Sequence, residues 1–110
     1  MTLRQETRAD ILILSPVGRL DSNSSPALEK VIVDELAAGK QRLVFDLSAM
    51  DYISSAGLRV ILLAGKKLRA SQGKMVLVGM QDMVKEVFEM SGFLTLFAVG
   101  ATLDDGLAQV

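Results

Sequence analysis

The stretch Leu43-Val44-Phe45-Asp46-Leu47-Ser48-Ala49-Met50-Asp51-Tyr52-Ile53-Ser54-Ser55-Ala56-Gly57-Leu58 decides the fold predicted for this chain. Its first three residues form a continuous apolar run, which is typical of a strand covered on both faces, and Asp46 marks the point where the run meets solvent. A compact turn follows, and Ser54 and Ser55 open a helix. We therefore expect the functional site just beyond this strand.

The residues after the serines have helical periodicity, with apolar side chains on one face and cationic side chains on the other. The apolar face holds Leu58, Ile61, Leu62, Gly65 and Leu68, and the other face holds Arg59, Lys66, Lys67 and Arg69. This helix is predicted to begin near Ser54 or Ser55 and to stop at Ser71-Gln72-Gly73. A serine at a helix start can cap free backbone N–H groups, and the same groups with the helix dipole would stabilise a phosphate on the hydroxyl. The sequence leaves both functions, helix cap and phosphate acceptor, open for the hydroxyls of Ser54 and Ser55.

Length and composition limit the classes of protein to consider. With 110 residues, half of them hydrophobic, the chain is long enough for one domain with a real core and too short for two. A formal net charge of −1 offers no basic field, so nucleic acid is not an expected partner. No apolar run approaches membrane-spanning length, and the N-terminus carries charges instead of an apolar signal core. We expect no membrane partner and a cytoplasmic location.

The remaining segments alternate between strand and helix patterns. Strands are predicted at Leu3–Arg8, Ile11–Val17, Arg42–Leu47, Met75–Val78 and Leu94–Val99, with Gly18-Arg19-Leu20-Asp21 leaving the sheet after the second strand. Further helices are predicted at Pro26–Ala38 with Ser25 as its cap, at Gln81–Met90 and at Ala101–Gln109. This order predicts a single α/β domain over residues 1–110, with a mixed β-sheet of four to five strands and about four helices packed against it.

Residue types argue against an enzyme. The chain has no histidine and no cysteine, which excludes a Ser-His-Asp triad, thiolate chemistry and the usual zinc ligands. Its glycines do not form a nucleotide-binding signature, so no cofactor is predicted. The spacing of Asp21, Asp46 and Asp51 does not place these carboxylates on one face, and no metal site is predicted. A receiver domain with Asp46 as phosphate acceptor is disfavoured because no helix separates the two opening strands.

The segment Asp46–Leu58 resembles the STAS family, specifically the single-domain bacterial anti-sigma factor antagonists. Gly18-Arg19-Leu20-Asp21 looks like the family's Gly-x-Leu-Asp motif, and Gly79-Met80 follows the fourth predicted strand as in the family. Phe93-Leu94-x-x-Phe97 is similar to a late Leu-x-x-x-Phe region. The resemblance covers essentially the whole chain and implies one STAS domain over residues 1–110.

The resemblance implies a non-enzymatic switch protein of bacterial signalling. Such a protein binds an ATP-binding anti-sigma serine kinase with a histidine-kinase-like fold, which releases a sigma factor. The kinase inactivates it by phosphorylating a serine at the start of the second helix, and a phosphatase of the PP2C type restores it. In the family the acceptor immediately precedes the glycine, but here that place is Ala56, so the predicted acceptor is Ser55, with Ser54 as the alternate. The resemblance implies these partner-binding residues: Asp21, Ser24, Asp51, Ser54, Ser55, Ala56, Gly57 and Arg59.

A second interpretation comes from a different functional class. The chain would be a STAS-like interaction subunit that regulates a transporter, a sensory complex or a secretion pathway, and its serines would serve only as caps. Ala56 at the usual acceptor place favours this alternative. A small ligand bound in a groove beside the turn is a third possibility.

Overall fold

The structure is a computed structural model that describes residues 2–110. The strands are β1 (Thr2–Arg8), β2 (Ile11–Leu20), β3 (Arg42–Asp46), β4 (Met50–Ile53), β5 (Lys74–Val78) and β6 (Ala98–Gly100). The helices are α1 (Ser25–Ala37), α2 (Ser55–Ala70), α3 (Asp82–Ser91) and α4 (Leu103–Gln109), and a short 3-10 helix spans Phe93–Leu96. The predicted α/β class and mixed sheet are confirmed.

The strands form one mixed sheet. The order across the sheet is β1-β2-β3-β5-β6, and β4 pairs with the last part of β2. Among the strands of the described part of the chain, β1 alone runs antiparallel to its neighbour, and every other pairing is parallel. Parallel strands need crossover connections, which α1, α2 and α3 supply. None of the helices in residues 2–110 is long and apolar enough to cross a membrane.

The strand β2 changes its partner along its length. Ile11–Leu14 pairs with β3, whereas Gly18–Leu20 pairs with β4 after a register shift between Gly18 and Arg19. Gly18 has φ +91°, a left-handed conformation that glycine adopts without a steric penalty. The prediction that Gly18-Arg19-Leu20-Asp21 leaves the sheet was therefore wrong for its first three residues.

The strand β4 was predicted as part of a compact turn, and this prediction was also wrong. The strand has only four residues, with Met50 and Ile53 buried and the two residues between them exposed. That pattern does not alternate as a half-buried strand does, so nothing in the local sequence indicated a strand. Backbone pairing with the far end of β2 forms it, and the sheet built from residues 2–110 has six strands instead of four to five.

The central strands of the sheet, β2, β3 and β5, are buried on both faces. One face packs beneath α1, α2 and α3 through Leu12, Leu14, Leu43, Phe45 and Leu77. The other face is covered by α4 and the residue after it, through Ile11, Ile13, Val44, Val76, Val78, Leu103, Leu107 and Val110. Successive side chains of a strand point to opposite faces, so a strand covered on both sides must be apolar throughout. The run Leu43–Phe45 meets this requirement, with all three side chains fully buried.

Two further local predictions need correction. Leu94–Val99 was predicted as one strand, but its first half belongs to the 3-10 helix and only Ala98–Gly100 pairs with β5. Gly92, in a left-handed conformation, ends α3 and redirects the chain so that Phe97 packs near α2 instead of in the sheet.

Ser25 was predicted as the cap of α1, but Ser24 holds that position. Ser25 is the first helical residue, and its buried hydroxyl donates a hydrogen bond to the carbonyl of Asp21.

Candidate functional site

The start of α2 lies against the ends of β2 and β4. The backbone N–H of Ser54 donates to the carbonyl of Leu20 over 2.9 Å. A Cβ added at Gly57 would lie 2.9 Å from the Leu20 carbonyl oxygen and also 2.9 Å from side-chain atoms of Leu20 and Ile53. The close approach of helix to sheet therefore requires glycine at this position. Gly57, one of the predicted partner-binding residues, is buried, and its close packing on Leu20 and Ile53 sets the position of the helix start.

Ser54 is the N-cap of α2. Its backbone is extended, with φ −94° and ψ 174°, and its hydroxyl oxygen accepts a hydrogen bond from the N–H of Gly57 over 3.3 Å. This bond satisfies one of the N–H groups that a helix leaves unpaired in its first turn. The Ser54 side chain is partly buried and already has a structural function.

Ser55 is the first residue of α2 and is exposed. Its hydroxyl makes no hydrogen bond to another of residues 2–110. The first turn of α2 contains no acidic residue, so the positive end of the helix dipole has no fixed counter-charge there. Ser55 therefore combines an accessible hydroxyl with an electrostatic environment that would stabilise a phosphate.

The loop after β2 is held by Asp21. Its carboxylate oxygen Oδ1 accepts hydrogen bonds from the backbone N–H groups of Asn23, over 3.0 Å, and Ser24, over 3.2 Å. The pKa of Asp21 lies below its ordinary value of 3.8, chiefly because its carboxylate accepts a hydrogen bond from the Ser24 N–H. The N–H of Asn23, the Ser24 hydroxyl and the charge of Arg19 lower the pKa in the same direction. The Ser24 hydroxyl also donates to the carbonyl of Arg19 over 2.9 Å. Both predicted partner-binding residues in this loop thus also fix the loop's shape.

Two residues that were not predicted as site residues form an exposed pair beside this loop. Arg19 of β2 and Tyr52 of β4 are paired in register, and the Arg19 guanidinium carbon lies 3.9 Å from the centroid of the Tyr52 ring. This distance is typical of a cation–π interaction. The Arg19 side chain is 62% exposed, and its Nε is 3.9 Å from Asp21 Oδ2. The pair could be recognised only once β4 was known to lie beside β2.

The other predicted site residues occupy different positions. Asp51 is exposed on β4, Ala56 is partly buried in the first turn of α2, and Arg59 is exposed one turn after Ser55 on the same side of the helix. Asp46 accepts hydrogen bonds from the backbone and hydroxyl of Ser48 within its own turn. Within residues 2–110 no group of three or more acidic side chains could hold a metal ion.

The chain is similar to known proteins over most of its length. A family model for the STAS domain matches residues 2–106. The chain is 43% identical over 99 residues to a candidate anti-sigma factor antagonist of Bordetella bronchiseptica, BtrV, covering 90% of this chain and 85% of that protein. It is 29% identical over 100 residues to the anti-sigma-F factor antagonist RsfB of Mycobacterium tuberculosis, covering 91% of this chain and 81% of RsfB. The crystal structure of an anti-sigma factor antagonist from Mycobacterium paratuberculosis matches with a TM-score of 0.90 and 29% identity, covering 99% and 92% of the two chains.

Proposed function

We propose that this chain, which belongs to the STAS domain family, is an anti-sigma factor antagonist that acts by binding and not by catalysis. Its partner would be an anti-sigma serine kinase with an ATP-binding, histidine-kinase-like fold, and binding would release a sigma factor. Relatives covering most of the chain carry the names of anti-sigma factor antagonists. The binding surface would comprise the start of α2, the loop after β2 and the exposed part of β4. This arrangement suits a docking surface because rigid elements hold both exposed and charged groups in fixed positions.

The proposed phosphate acceptor is Ser55. The observation that carries this assignment is the different environment of the two serines, since Ser54 caps the helix and Ser55 is exposed at its first position. A phosphate on Ser55 would leave the cap bond between Ser54 and Gly57 in place. It would also lie near the positive end of the helix dipole, so the monomer would tolerate it.

The phosphate would weaken binding through charge and desolvation. It adds roughly −1.5 to −2 charges, and the same surface carries the carboxylates of Asp21 and Asp51. A partner that packs over this surface would have to desolvate the added charge, which is costly unless it is paired. A phosphatase of the PP2C type would reverse the modification and restore binding.

Incubation of the protein with its cognate kinase and ATP, followed by intact-mass measurement, tests the acceptor assignment. We expect one added phosphate in the wild type and in Ser54→Ala, and none in Ser55→Ala. Circular dichroism of both variants controls for folding, because loss of the Ser54 cap costs about 1 kcal/mol of helix stability. A mass shift that persists in Ser55→Ala and disappears in Ser54→Ala would contradict the assignment.

The alternative interaction-subunit function has one observation in its favour. Ala56, without a hydroxyl, occupies the place where the family's acceptor usually stands. Under that alternative, the partners recovered by pull-down from the native host would not include a serine kinase, and the wild-type mass would not change with ATP. Recovery of a kinase that phosphorylates the chain would exclude it.

A further inference from the structure

A groove lies between the C-terminal half of α2, the strand β5 and the segment that leads into β6. Its volume is about 460 Å³, and its apolar lining includes Leu62, Met75, Leu96 and Phe97. Cavities that hold small molecules usually have volumes of roughly 300–1,000 Å³. None of the residues assigned to the partner-binding surface lines this groove. It is a separate feature that neither the family match nor the proposed switch explains.

The apolar wall of the groove is held in place by close packing at Gly65. A Cβ at this position would lie 2.8 Å from Cε1 of Phe97 and 3.3 Å from Cε of Met75, so both side chains lie directly against the helix backbone. The Phe97 ring also packs edge-to-face on Phe88, with 6.3 Å between the ring centroids. Phe88 itself is fully buried, which anchors Phe97 from behind. The wall is therefore formed before any ligand binds.

Three cationic side chains also line the groove. Lys66 and Arg69 line the groove from α2, Lys74 lines it from β5, and no acidic residue contributes to the lining. The ion pairs formed within residues 2–110 join other residues, so none of these three cations has an acidic partner within 4.0 Å. The whole chain has a net charge of −1, so this cluster does not merely follow from an excess of basic residues.

We propose that the groove binds a small amphipathic anion. The apolar body of the ligand would pack on Leu62, Met75 and Phe97, which removes apolar surface from water. Its carboxylate or phosphate head would lie among Lys66, Arg69 and Lys74, where the guanidinium can bind two oxygens at once. This combination of an apolar wall and unpaired cations selects against neutral apolar molecules and against simple inorganic anions. The proposal does not depend on the function of the start of α2.

A titration followed by nuclear magnetic resonance tests the proposal on the intact chain. Amide spectra of labelled protein are recorded with decanoate or decyl phosphate, and separately with decanol and with inorganic phosphate. We expect saturable shifts centred on residues 62–76 and 96–98 with the amphipathic anions and at least about tenfold weaker binding of decanol and of inorganic phosphate. Comparison of decanoate with decyl phosphate shows which head group is preferred.

Two triple variants separate a specific site from general electrostatic attraction. Lys66→Gln/Arg69→Gln/Lys74→Gln should weaken decanoate binding by about tenfold, because three favourable charge interactions are lost. Arg4→Gln/Lys40→Gln/Lys85→Gln removes the same charge elsewhere on the surface and should leave the affinity unchanged.

Several outcomes would overturn the proposal. Equal affinity for decanol, equal loss of affinity in both triple variants, or an absence of saturable shifts at the groove would each do so. A dilution series without ligand tests whether a second copy of this chain occupies the groove. If the groove resonances shift with protein concentration alone, a second copy of this chain occupies the groove and the proposed ligand class is wrong.

Discussion

At the scale of the residue, two adjacent serines have different roles because the helix begins between them. Ser54 has an extended backbone and its oxygen accepts a hydrogen bond from the N–H of Gly57, whereas Ser55 already has helical geometry and is exposed. Serine is a preferred residue at the cap position, so the sequence offered both hydroxyls equally. A helix start displaced by one residue would have exchanged their roles.

Asp21 gives a prediction at the same scale. Its pKa is lowered chiefly by the N–H of Ser24, and then by the N–H of Asn23, so the folded state favours the charged carboxylate. The unfolded chain binds the proton more readily, so the stabilisation is fully present above the ordinary pKa of 3.8 and is lost as the pH falls through the lowered value. We expect Asp21→Ala to reduce the free energy of unfolding at neutral pH and to have a smaller effect at about pH 2.5.

Urea unfolding of the wild type and the variant across this pH range measures the effect. Asp21→Asn is the matched control, because its amide oxygen can still accept the two backbone hydrogen bonds but has no charge to lose. The difference between wild type and Asp21→Asn should also shrink as the pH falls. A difference between wild type and Asp21→Ala that is constant with pH would show that the charge of this carboxylate does not stabilise the fold.

At the scale of the element, the two glycines inside α2 bring the helix close to different neighbours. Gly57 faces the backbone carbonyl of Leu20, which the sheet holds in place. Gly65 faces side-chain atoms of Phe97 and Met75 and no backbone atom of the sheet, so a small side-chain shift towards the groove can relieve the contact. The same substitution should therefore have different consequences at the two ends of one helix.

We expect Gly57→Ala to lower the free energy of unfolding by about 1–3 kcal/mol, because the added methyl group overpacks a rigid contact. Gly65→Ala should change it by less than about 1 kcal/mol, because the gain in helix propensity offsets a small shift of the Phe97 ring. Thermal and urea unfolding of both variants provide the measurement, and each variant serves as the control for the other. Equal losses in the free energy of unfolding would show that the Leu20 carbonyl does not make position 57 less tolerant of an added methyl group than position 65.

At the scale of the whole molecule, parallel pairing brings the residues of the proposed switch together at the carboxyl ends of β2 and β4. The loop with Asp21 follows β2, and Ser54 follows β4, which pairs in parallel with the end of β2. Parallel pairing places the carboxyl ends of both strands side by side, where ligands of open α/β sheets usually bind. The cationic groove lies along the C-terminal half of the same helix, so α2 contributes to both surfaces.

A charge at Ser55 should change association without changing the fold. We expect Ser55→Asp to retain the wild-type circular dichroism, because an acidic residue in the first turn of a helix is favourable, and to bind the kinase at least about tenfold more weakly. Isothermal titration calorimetry measures the affinity. Ala70→Asp is the control: it adds the same charge about 22 Å away at the other end of α2 and should leave the affinity unchanged. Unchanged affinity in Ser55→Asp would contradict the charge mechanism.

The sequence by itself determined the α/β class, the positions of the four helices and the family of the chain. It did so because helical periodicity, helix-start residues and a continuous apolar strand are local patterns, and because the motif around Asp46–Leu58 is specific. Only the tertiary structure decided that β4 exists, that Arg19 stacks on Tyr52 and that the two serines have separate roles. Each of these depends on backbone pairing or close packing between residues far apart in the chain, and such contacts leave no local periodicity from which they could be predicted.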